Sequence, residues 1–267
     1  MRYPLRDSVV VITGASSGIG RACALRFAAR GARLMLSGRN PGRLQDAARE
    51  AEALGAPVGY RPADVTDLHA MQELVAEAER QFGPVDIAVA CAGQYIRAHA
   101  SELRPEMLRA SLEVNLFGSM NLIFAVLPGM LERRRGRVVA VTSVDGKKGL
   151  PLDAAYCAAK FAMTGLLDCM RQDLRGSGVR LCNVLPGRVD TPMIAGLQVP
   201  RVSRKISAER VARAVERATR SGRAEVIVPL AGPKTLIVAG ACSPRLADWL
   251  VRLFRLEGTV ATMDNED

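Results

Sequence analysis

The stretch TGASSGIG, Thr13 to Gly20, lies between a run of apolar residues and a segment with a helical pattern. Its glycines predict the turn that follows the first strand of a dinucleotide-binding unit. Gly14 permits a tight turn, Gly18 lets the backbone approach a pyrophosphate, and Gly20 lets the helix pack closely on the strand. The N–H groups at the start of that helix then face the anion. The alternative is a purely structural turn. No Gly-Lys-Ser/Thr follows, which argues against a nucleoside-triphosphate loop.

Short β-type runs alternate with helical patterns along the chain. The first run, SVVVIT at 8–13, is continuously apolar, as buried parallel strands are. The predicted strands are 8–13, 33–37, 58–61, 85–90, 137–143, 179–185 and 224–229. The predicted helices are 18–30, 41–54, 67–82, about 105–131, about 154–175 and 208–221. This alternation predicts one α/β domain over residues 1–267, a doubly wound Rossmann fold with a seven-stranded parallel sheet and helices on both faces.

The composition is that of a globular chain, since 49% of its 267 residues are apolar and 24% are charged. Six scattered cysteines without a Cys-x-x-Cys pair favour a reducing compartment, and two histidines are too few for a histidine-based metal site. The short apolar run near the N-terminus predicts neither a secretory leader nor a membrane span, so we expect a cytoplasmic protein. The net charge of +10 favours anionic partners such as phosphorylated cofactors. The chain has no basic patch with interleaved aromatic residues, so nucleic-acid binding is not predicted.

The end of the second predicted strand, LSGRN at 36–40, indicates which dinucleotide the chain binds. An NAD site usually places a carboxylate about 20 residues after the glycines, where it holds the ribose 2′-hydroxyl. Here Gly38 takes that position and Arg39 follows, so nothing repels a 2′-phosphate and a guanidinium fork is available for it. We expect NADP(H) as the cofactor. The alternative is that Arg39 only faces solvent.

Five features, taken in order along the chain, resemble the short-chain dehydrogenase/reductase family. They are the turn Thr13–Gly20, Asn115, Ser143, Tyr156 and Lys160. Ser143 precedes Tyr156 by thirteen residues, a spacing common in that family, and Tyr156 and Lys160 form its Tyr-x-x-x-Lys motif. Smaller matches are Asp64-Val65, Cys91-Ala92-Gly93 and Pro186–Thr191. The resemblance covers most of the chain.

The resemblance implies that Tyr156 is the general acid for carbonyl reduction, or the base for alcohol oxidation. A phenol exchanges protons poorly at neutral pH, so the Lys160 ammonium, one helical turn away, is expected to lower the pKa of Tyr156. Lys160 would also hydrogen-bond the nicotinamide ribose. Ser143 would bind the substrate carbonyl oxygen, and Asn115 would hold a water that links Lys160 to solvent.

The resemblance also implies which residues contact the cofactor. They are Gly14, Ser16, Ser17, Gly18, Ile19, Gly20, Arg39, Asp64, Val65, Ala92, Gly93, Tyr156, Lys160, Pro186, Gly187, Val189 and Thr191. The chain departs from the family after the fourth predicted strand, where it has Ala-Cys-Ala-Gly and the family often has Asn-Asn-Ala-Gly. A bracing side-chain amide is therefore missing, while main-chain contacts to the cofactor can persist. We expect Cys91 to be buried and inert.

Three loops, 94–104, 144–153 and 188–206, are expected to frame the substrate pocket. Their mostly apolar residues favour a hydrophobic ketone, a steroid-like molecule or an acyl chain. The sequence SPRLADWLVRLFRLEG at 243–258 predicts an amphipathic helix over about 243–256. That helix packs on the body or over the pocket mouth, or else it contacts a membrane surface or a partner. The stretch 257–267 is predicted to be a frayed acidic tail.

Together these features predict an NADPH-dependent oxidoreductase that reduces a carbonyl to an alcohol. Two alternatives stay open, an NADP-dependent alcohol dehydrogenase that works oxidatively and a regulatory protein that binds NADP(H) without turnover. The intact set of Ser143, Tyr156 and Lys160 argues against the regulatory protein, since a sensor does not need all three. The resemblance further implies a homodimer or homotetramer, paired through the helices around 105–131 and 154–175.

Overall fold

The computed structural model describes residues 3–260. Its strands are β1 (Val9–Thr13), β2 (Arg33–Gly38), β3 (Val58–Pro62), β4 (Ile87–Ala90), β5 (Gly136–Val141), β6 (Val179–Pro186), β7 (Val189–Asp190), β8 (Leu197–Gln198), β9 (Ile206–Ser207), β10 (Glu225–Val228) and β11 (Thr259–Val260). Its α-helices are α1 (Gly18–Ala28), α2 (Pro41–Glu52), α3 (Leu68–Phe82), α4 (Pro105–Leu112), α5 (Gly118–Glu132), α6 (Ala154–Asp173), α7 (Ala208–Ser221), α8 (Ala231–Cys242) and α9 (Pro244–Leu253). The predicted strands and helices are present, with ends shifted by a few residues.

Seven strands form one parallel sheet in the order β10-β6-β5-β4-β1-β2-β3, which confirms the predicted doubly wound architecture. The continuous apolar run of β1 follows from this arrangement, because all of its residues are buried between two layers of helices. On one face α1, α2 and α7 enclose a core that contains Phe27 and Val215. On the other face α3, α5 and α6 enclose a second core that contains Leu74 and Ile123.

The strand order reverses between β1 and β4, and this reversal positions the functional site. The chain runs from β1 outward to β2 and β3 and then returns to place β4 on the other side of β1. The carboxyl ends of parallel strands lie at one edge of the sheet, so the loops after β1, β4, β5 and β6 border a common crevice. The hydroxyl of Thr13 accepts a hydrogen bond from the Cys91 N–H at 3.3 Å and joins two of these loops.

The predicted helix at about 105–131 is present as one helical stretch, but it is not α-helical throughout. A π-helical segment, Glu113–Phe117, separates α4 from α5. Such segments insert an extra residue into a helix, and they often occur at functional sites. Asn115 lies in this segment and is fully buried.

Length and composition make Pro105–Glu132 the one helical stretch within the described residues that could cross a membrane. Its most apolar window has a mean hydropathy of 1.6, and 44% of that window is buried inside the protein. The buried side chains include Leu122 and Ile123, which belong to the core shared with α3 and β4. Helices in the core of a soluble protein pass the same test, so it does not identify a membrane span.

After β10 the chain forms α8 and α9, which pack against each other. The hydroxyl of Ser243 caps α9 by accepting a hydrogen bond from the Leu246 N–H at 3.3 Å, and α9 lies within the predicted 243–256. The sequence did not predict α8, because its residues are apolar all round and show no helical periodicity.

Residues 257–260 correct the prediction of a frayed tail. β11 pairs with β8 in antiparallel fashion. Arg97 Nη2 donates a hydrogen bond to the Glu257 carbonyl oxygen at 2.7 Å, and the Arg188 guanidinium donates to the Leu256 carbonyl oxygen. These long-range contacts hold the segment over the carboxyl edge of the sheet. The rest of the predicted tail, 261–267, lies outside the described residues.

Candidate active site

The turn after β1 is packed so tightly against the neighbouring backbone that two of its positions leave no room for a side chain. Gly14 has a φ of +68°, and a Cβ placed on it would lie 2.8 Å from the backbone nitrogen of Ala92. A Cβ on Gly20 would lie 2.2 Å from the carbonyl oxygen of Gly14, so only glycine fits at either position. Ser17 precedes α1 without a side-chain cap hydrogen bond. The N–H groups of the first turn are therefore not capped by that side chain, and the turn fits a dinucleotide phosphate.

A groove leads from this turn across the carboxyl ends of β1, β2 and β4. The predicted cofactor contacts that line it are Gly14, Ser16, Ser17, Gly18, Ile19, Gly20, Arg39, Asp64, Val65, Ala92, Gly93 and Thr191. The remaining predicted contacts line an adjoining cavity and are Tyr156, Lys160, Pro186, Gly187 and Val189. The groove and the cavity share part of their lining, including Ile19, Ala92 and Gly93, so one opens into the other.

The edge of the groove beside β2 is basic. Arg39 is exposed there, and Arg43 from the first turn of α2 lines the same groove. Gly38 has no side chain, so it places none between the two arginines and the glycine turn. A Cβ on Gly38 would lie only 3.0 Å from the Oγ of Ser16, a residue of that turn. Sequence reasoning missed Arg43, although its position four residues after Arg39, at the start of a helix, was a usable signal. The two guanidinium groups give this edge the charge that suits a phosphate.

Asp64 lines the same groove. Its carboxylate accepts hydrogen bonds from the N–H and the hydroxyl of Thr66, both at 2.9 Å. These bonds hold the pKa of Asp64 below its usual range, and the charge of Arg39 acts in the same direction. Asp64 is therefore an ionised, fixed wall of the groove.

The cavity has a volume of about 570 Å³ and lies beyond the carboxyl ends of β5 and β6. All four predicted catalytic residues line it, namely Asn115, Ser143, Tyr156 and Lys160. Apolar lining residues from the predicted loops are Leu150, Met193, Ile194 and Leu197. The C-terminal region adds Leu236, Ile237, Leu250, Phe254 and Leu256. Leu250 and Phe254 belong to the predicted C-terminal helix, one alternative for which was a place over the pocket mouth, whereas Leu236 and Ile237 lie on α8, which the sequence did not predict.

Tyr156 and Lys160 lie one turn apart on α6, with Lys160 Nζ 5.4 Å from the centre of the phenol ring. Lys160 is only 3% exposed, and its burial lowers its pKa to about 8. Burial raises the pKa of Tyr156 above its ordinary value, and the Asp145 carboxylate raises it further. The expected lowering of the Tyr156 pKa by Lys160 is therefore not seen among the described residues, because desolvation of the phenolate is the larger effect. The Tyr156 phenol is protonated at neutral pH.

Ser143 lies two residues beyond β5 and precedes a short 3₁₀ turn, Val144–Gly146. Its Oγ donates a hydrogen bond to Asp145 Oδ2 at 3.0 Å and accepts one from the Asp145 N–H at 3.1 Å. Asp145 also lines the cavity, and burial raises its pKa to about 6. Sequence reasoning missed Asp145, whose signal was an acid two residues after the serine in a loop with few other acids. The Ser143 hydroxyl thus has a carboxylate within reach that competes for its proton.

Asn115 fixes the loop that follows β4. Its Nδ2 donates to the carbonyl oxygens of Gln94 at 2.8 Å and Ser111 at 3.1 Å, and its Oδ1 accepts from the Gln94 N–H at 3.1 Å. A Cβ on Gly93 would lie 3.0 Å from Asn115 Oδ1 and 3.9 Å from Lys160 Nζ. Asn115 and Lys160 therefore both lie next to Gly93.

Cys91 occupies the position at which the chain departs from the family pattern. Its N–H donates to Thr13, so a main-chain contact braces the loop where the family often has an amide side chain. The thiol is partly buried, and desolvation raises its pKa to about 12. A thiol with this pKa is protonated at neutral pH and is a poor nucleophile.

A buried polar network joins the phenol to the C-terminal segment. The ring of Tyr95 packs edge-on against Tyr156, with centroids 5.1 Å apart and an angle of 88°. Tyr95 donates its hydroxyl hydrogen to Asp153 Oδ1 at 2.8 Å, and Arg97 Nε donates to the same oxygen at 3.1 Å. Arg97 also binds the Glu257 carbonyl oxygen. The wall next to Tyr156 is therefore anchored by residues far apart in the sequence.

Comparison with known proteins places the chain in a family. The profile described as "short chain dehydrogenase" matches residues 8–200. The protein "Dehydrogenase/reductase SDR family member 7B" of Bos taurus is 39% identical over 197 residues, which cover 72% of this chain and 61% of that protein. The chain thus spans about three fifths of the length of this relative.

Two solved structures share the fold. An alcohol dehydrogenase from the archaeon Thermococcus sibiricus, complexed with 5-hydroxy-NADP, has a TM-score of 0.75 at 29% identity and covers 82% of this chain and 95% of that chain. A short chain dehydrogenase from Mycobacterium paratuberculosis, bound to NAD, has a TM-score of 0.78 at 26% identity, with coverages of 84% and 97%. The seven-stranded sheet, the matched profile and these relatives agree, and the chain belongs to the short-chain dehydrogenase/reductase family of oxidoreductases.

Proposed function

We propose that the protein is an NADPH-dependent carbonyl reductase that converts a hydrophobic ketone or aldehyde into an alcohol. The observation that carries this proposal is that Ser143, Tyr156 and Lys160 line one mostly apolar cavity, which opens into the groove of the glycine turn. Groups able to bind and protonate a carbonyl oxygen therefore adjoin residues fitted to a dinucleotide. Bound in that groove, the dinucleotide supplies the hydride.

Tyr156 donates the proton in this proposal. The phenol is protonated at neutral pH, which is the state required of a donor to a forming alkoxide. Ser143 donates a second hydrogen bond to the same oxygen and stabilises its charge.

Lys160 and Asn115 support this proton donor. With a pKa of about 8, most Lys160 side chains carry a proton at neutral pH, so the ammonium can hydrogen-bond ribose hydroxyls and return a proton toward Tyr156. Asn115 holds the loop at Gly93 and lies beside Lys160, where the family places its proton-relay water.

The cofactor in this proposal is NADP(H). The turn from Gly14 to Gly20 would hold the pyrophosphate, Asp64 and Val65 would border the adenine, and Pro186, Gly187, Val189 and Thr191 would contact the nicotinamide side. Arg39 and Arg43 would hold a 2′-phosphate, because both line the basic edge of the groove and Gly38 presents no carboxylate there.

A panel of carbonyl compounds tests the proposal. Purified protein is mixed with NADPH and with cyclic ketones, long-chain ketones or aldehydes, and cofactor oxidation is followed by absorbance. Tyr156→Phe serves as the control, since it removes the hydroxyl group that would donate the proton and keeps the ring. Consumption of NADPH that the control lacks supports the proposal. Turnover only with NADP⁺ and alcohols would favour the oxidative alternative, and cofactor binding without turnover on either panel would favour the regulatory one.

We further infer a single domain that forms a homodimer or homotetramer in the cytoplasm. Phe124 on α5 and Phe161 on α6 are exposed large apolar residues on the two helices expected to pair. The six cysteines are free, which fits a reducing compartment. Sedimentation velocity of the wild type and of Phe124→Glu tests the assembly. An unchanged sedimentation coefficient would exclude this interface.

A further inference from the structure

Helix α8 is apolar but buries none of its residues. Its sequence, AGPKTLIVAGAC, carries one charged residue, Lys234. It packs against α9 and β10 on one side, and its side toward the cavity contributes Leu236 and Ile237 to the lining. The outward side exposes Val238. An apolar helix that remains uncovered marks a surface that contacts something other than water.

The neighbouring elements extend this apolar surface. We call it the mouth surface and define it by the exposed side chains of 192–204 and 230–255. Its large exposed apolar residues are Met193, Val202, Leu230, Val238, Leu246, Trp249, Leu253 and Phe254. Trp249 is 52% exposed and Leu253 55% exposed, so α9 turns only its Ala247 and Val251 face fully inward. The predicted apolar stripe of α9 is thus mostly outside the core.

The charges on the mouth surface are mostly positive. Its exposed cations are Arg201, Arg204, Lys234, Arg245, Arg252 and Arg255. None of them forms an ion pair with another residue between 3 and 260. The one acid in the two ranges is Asp248, which is paired with Lys148 at 2.7 Å. Apolar side chains with a tryptophan among unpaired cations are the combination that anionic lipid interfaces select.

The mouth surface surrounds the opening of the cavity. Met193, Val202 and Phe254 are exposed and also line the cavity, so they mark its rim. Leu250 on α9 and Leu236 on α8 line the interior behind that rim. If an apolar phase contacts the mouth surface, a molecule can pass from that phase into the cavity without crossing water.

We propose that the mouth surface docks on an anionic lipid bilayer, and that the carbonyl substrate is a lipophilic molecule taken from that bilayer. The second part rests on the proposed reductase function, whereas the docking does not. A second copy of the chain is a poorer occupant, because a symmetric contact brings the same unpaired cations face to face. An anionic bilayer neutralises them and covers the apolar side chains at the same time.

Trp249 permits a test on the unmodified protein, because it is the only tryptophan in the chain. The protein is titrated with vesicles of phosphatidylcholine alone or of an equal mixture with phosphatidylglycerol. We expect a blue shift of the emission and quenching by brominated acyl chains, only with the anionic vesicles and less at high salt. An unchanged spectrum with anionic vesicles would overturn the docking.

Matched variants locate the contact. Leu253→Glu should abolish flotation with anionic vesicles, whereas Leu54→Glu, a similarly exposed leucine outside the mouth surface, should leave flotation unchanged. Arg245→Gln and Arg252→Gln should each weaken vesicle binding roughly fivefold. Equal flotation of Leu253→Glu and Leu54→Glu would refute the assigned surface. A dimer in solution that Leu253→Glu dissociates would refute the bilayer in favour of a second copy.

Docking on the bilayer and uptake of the substrate from it can be tested independently of each other. Tyr156→Phe should bind vesicles as the wild type does, because Tyr156 lies inside the cavity. Leu253→Glu should keep its rate on a water-soluble ketone and lose its rate on a ketone embedded in vesicles. Docking without any carbonyl reduction would refute the proposed function alone, and equal rates of Leu253→Glu on both substrates would refute delivery from the bilayer.

Discussion

Replacing Arg39 by alanine should weaken the use of NADPH and leave the use of NADH nearly unchanged. Arg39 is exposed at the basic edge of the groove, and Gly38 beside it offers no carboxylate. The 2′-phosphate is the group that distinguishes the two dinucleotides, so a guanidinium that binds it acts on one of them only.

The exposure of Arg39 sets the size of this effect. A hydrogen bond to a charged group contributes about 1.5–3 kcal/mol, and solvent at the groove edge favours the lower value. About 1.5 kcal/mol corresponds to roughly a tenfold loss in kcat/KM for NADPH. Arg43 lines the same edge and retains part of the contact, so the double variant with Arg43→Ala should lose more.

Steady-state kinetics with both cofactors and one fixed carbonyl substrate measure the ratio of kcat/KM for NADPH to kcat/KM for NADH. Arg80→Ala is a matched control, because Arg80 is exposed on α3 outside the groove. Gly38→Asp should shift the preference toward NADH, although its Cβ must displace Ser16 slightly. Equal losses for NADPH and NADH in Arg39→Ala, or no loss for either, would refute the reasoning.

Three further predictions follow from the site and the core. Tyr156→Phe should lower kcat by at least a hundredfold, since general acid catalysis contributes about 10²–10⁴-fold. A titration with NADPH should give an unchanged dissociation constant. A residual rate near that of the wild type would contradict the assignment of Tyr156 as the proton donor. Burial raises the pKa of Asp145 to about 6, and its ionised carboxylate accepts the Ser143 hydrogen bond more strongly than the neutral acid does, so kcat/KM for reduction should fall as the pH rises through about 6. Asp145→Asn should abolish that fall, and a profile that keeps it would exclude this role. Glu216 on α7 is buried and forms ion pairs with Arg26 of α1, with Arg30, which follows α1, and with Arg220 of α7, and Arg30 Nε lies 3.0 Å from its carboxylate. Glu216→Ala should therefore lower the free energy of unfolding by roughly 2–3 kcal/mol and the Tm by several degrees in calorimetry.

The fold was predictable because its strands are buried on both faces. A run such as Val9–Ile12 contains no polar residue, as a strand buried on both faces requires. The glycine turn that follows indicates a dinucleotide-binding βαβ unit. Helix α8 was not predictable by the same means, because a helix that is apolar on all sides has no period to detect. The π-helical segment around Asn115 leaves no sequence signal either, since the inserted residue is specified by packing.

The candidate site was predictable where one element supplies its residues. Tyr156 and Lys160 share a helix face, so their spacing in the sequence is their spacing in space. The pKa of Tyr156 was not predictable, because it depends on burial and on the charge of Asp145, which comes from another loop. The contacts of Arg97 and Arg188 with the C-terminal segment join residues far apart in the chain, and no local pattern encodes them.

The far wall of the cavity has a consequence for how such proteins diverge. Leu236, Leu250 and Phe254 come after residue 200, where the match to the family profile ends, whereas Ser143 and Tyr156 lie within it. Under the proposed function, the residues that handle the proton lie in the stretch that matches the family profile, whereas part of the cavity wall that would contact the substrate lies beyond it. Changes after residue 200 can therefore alter which compound fits the cavity without altering Ser143 or Tyr156.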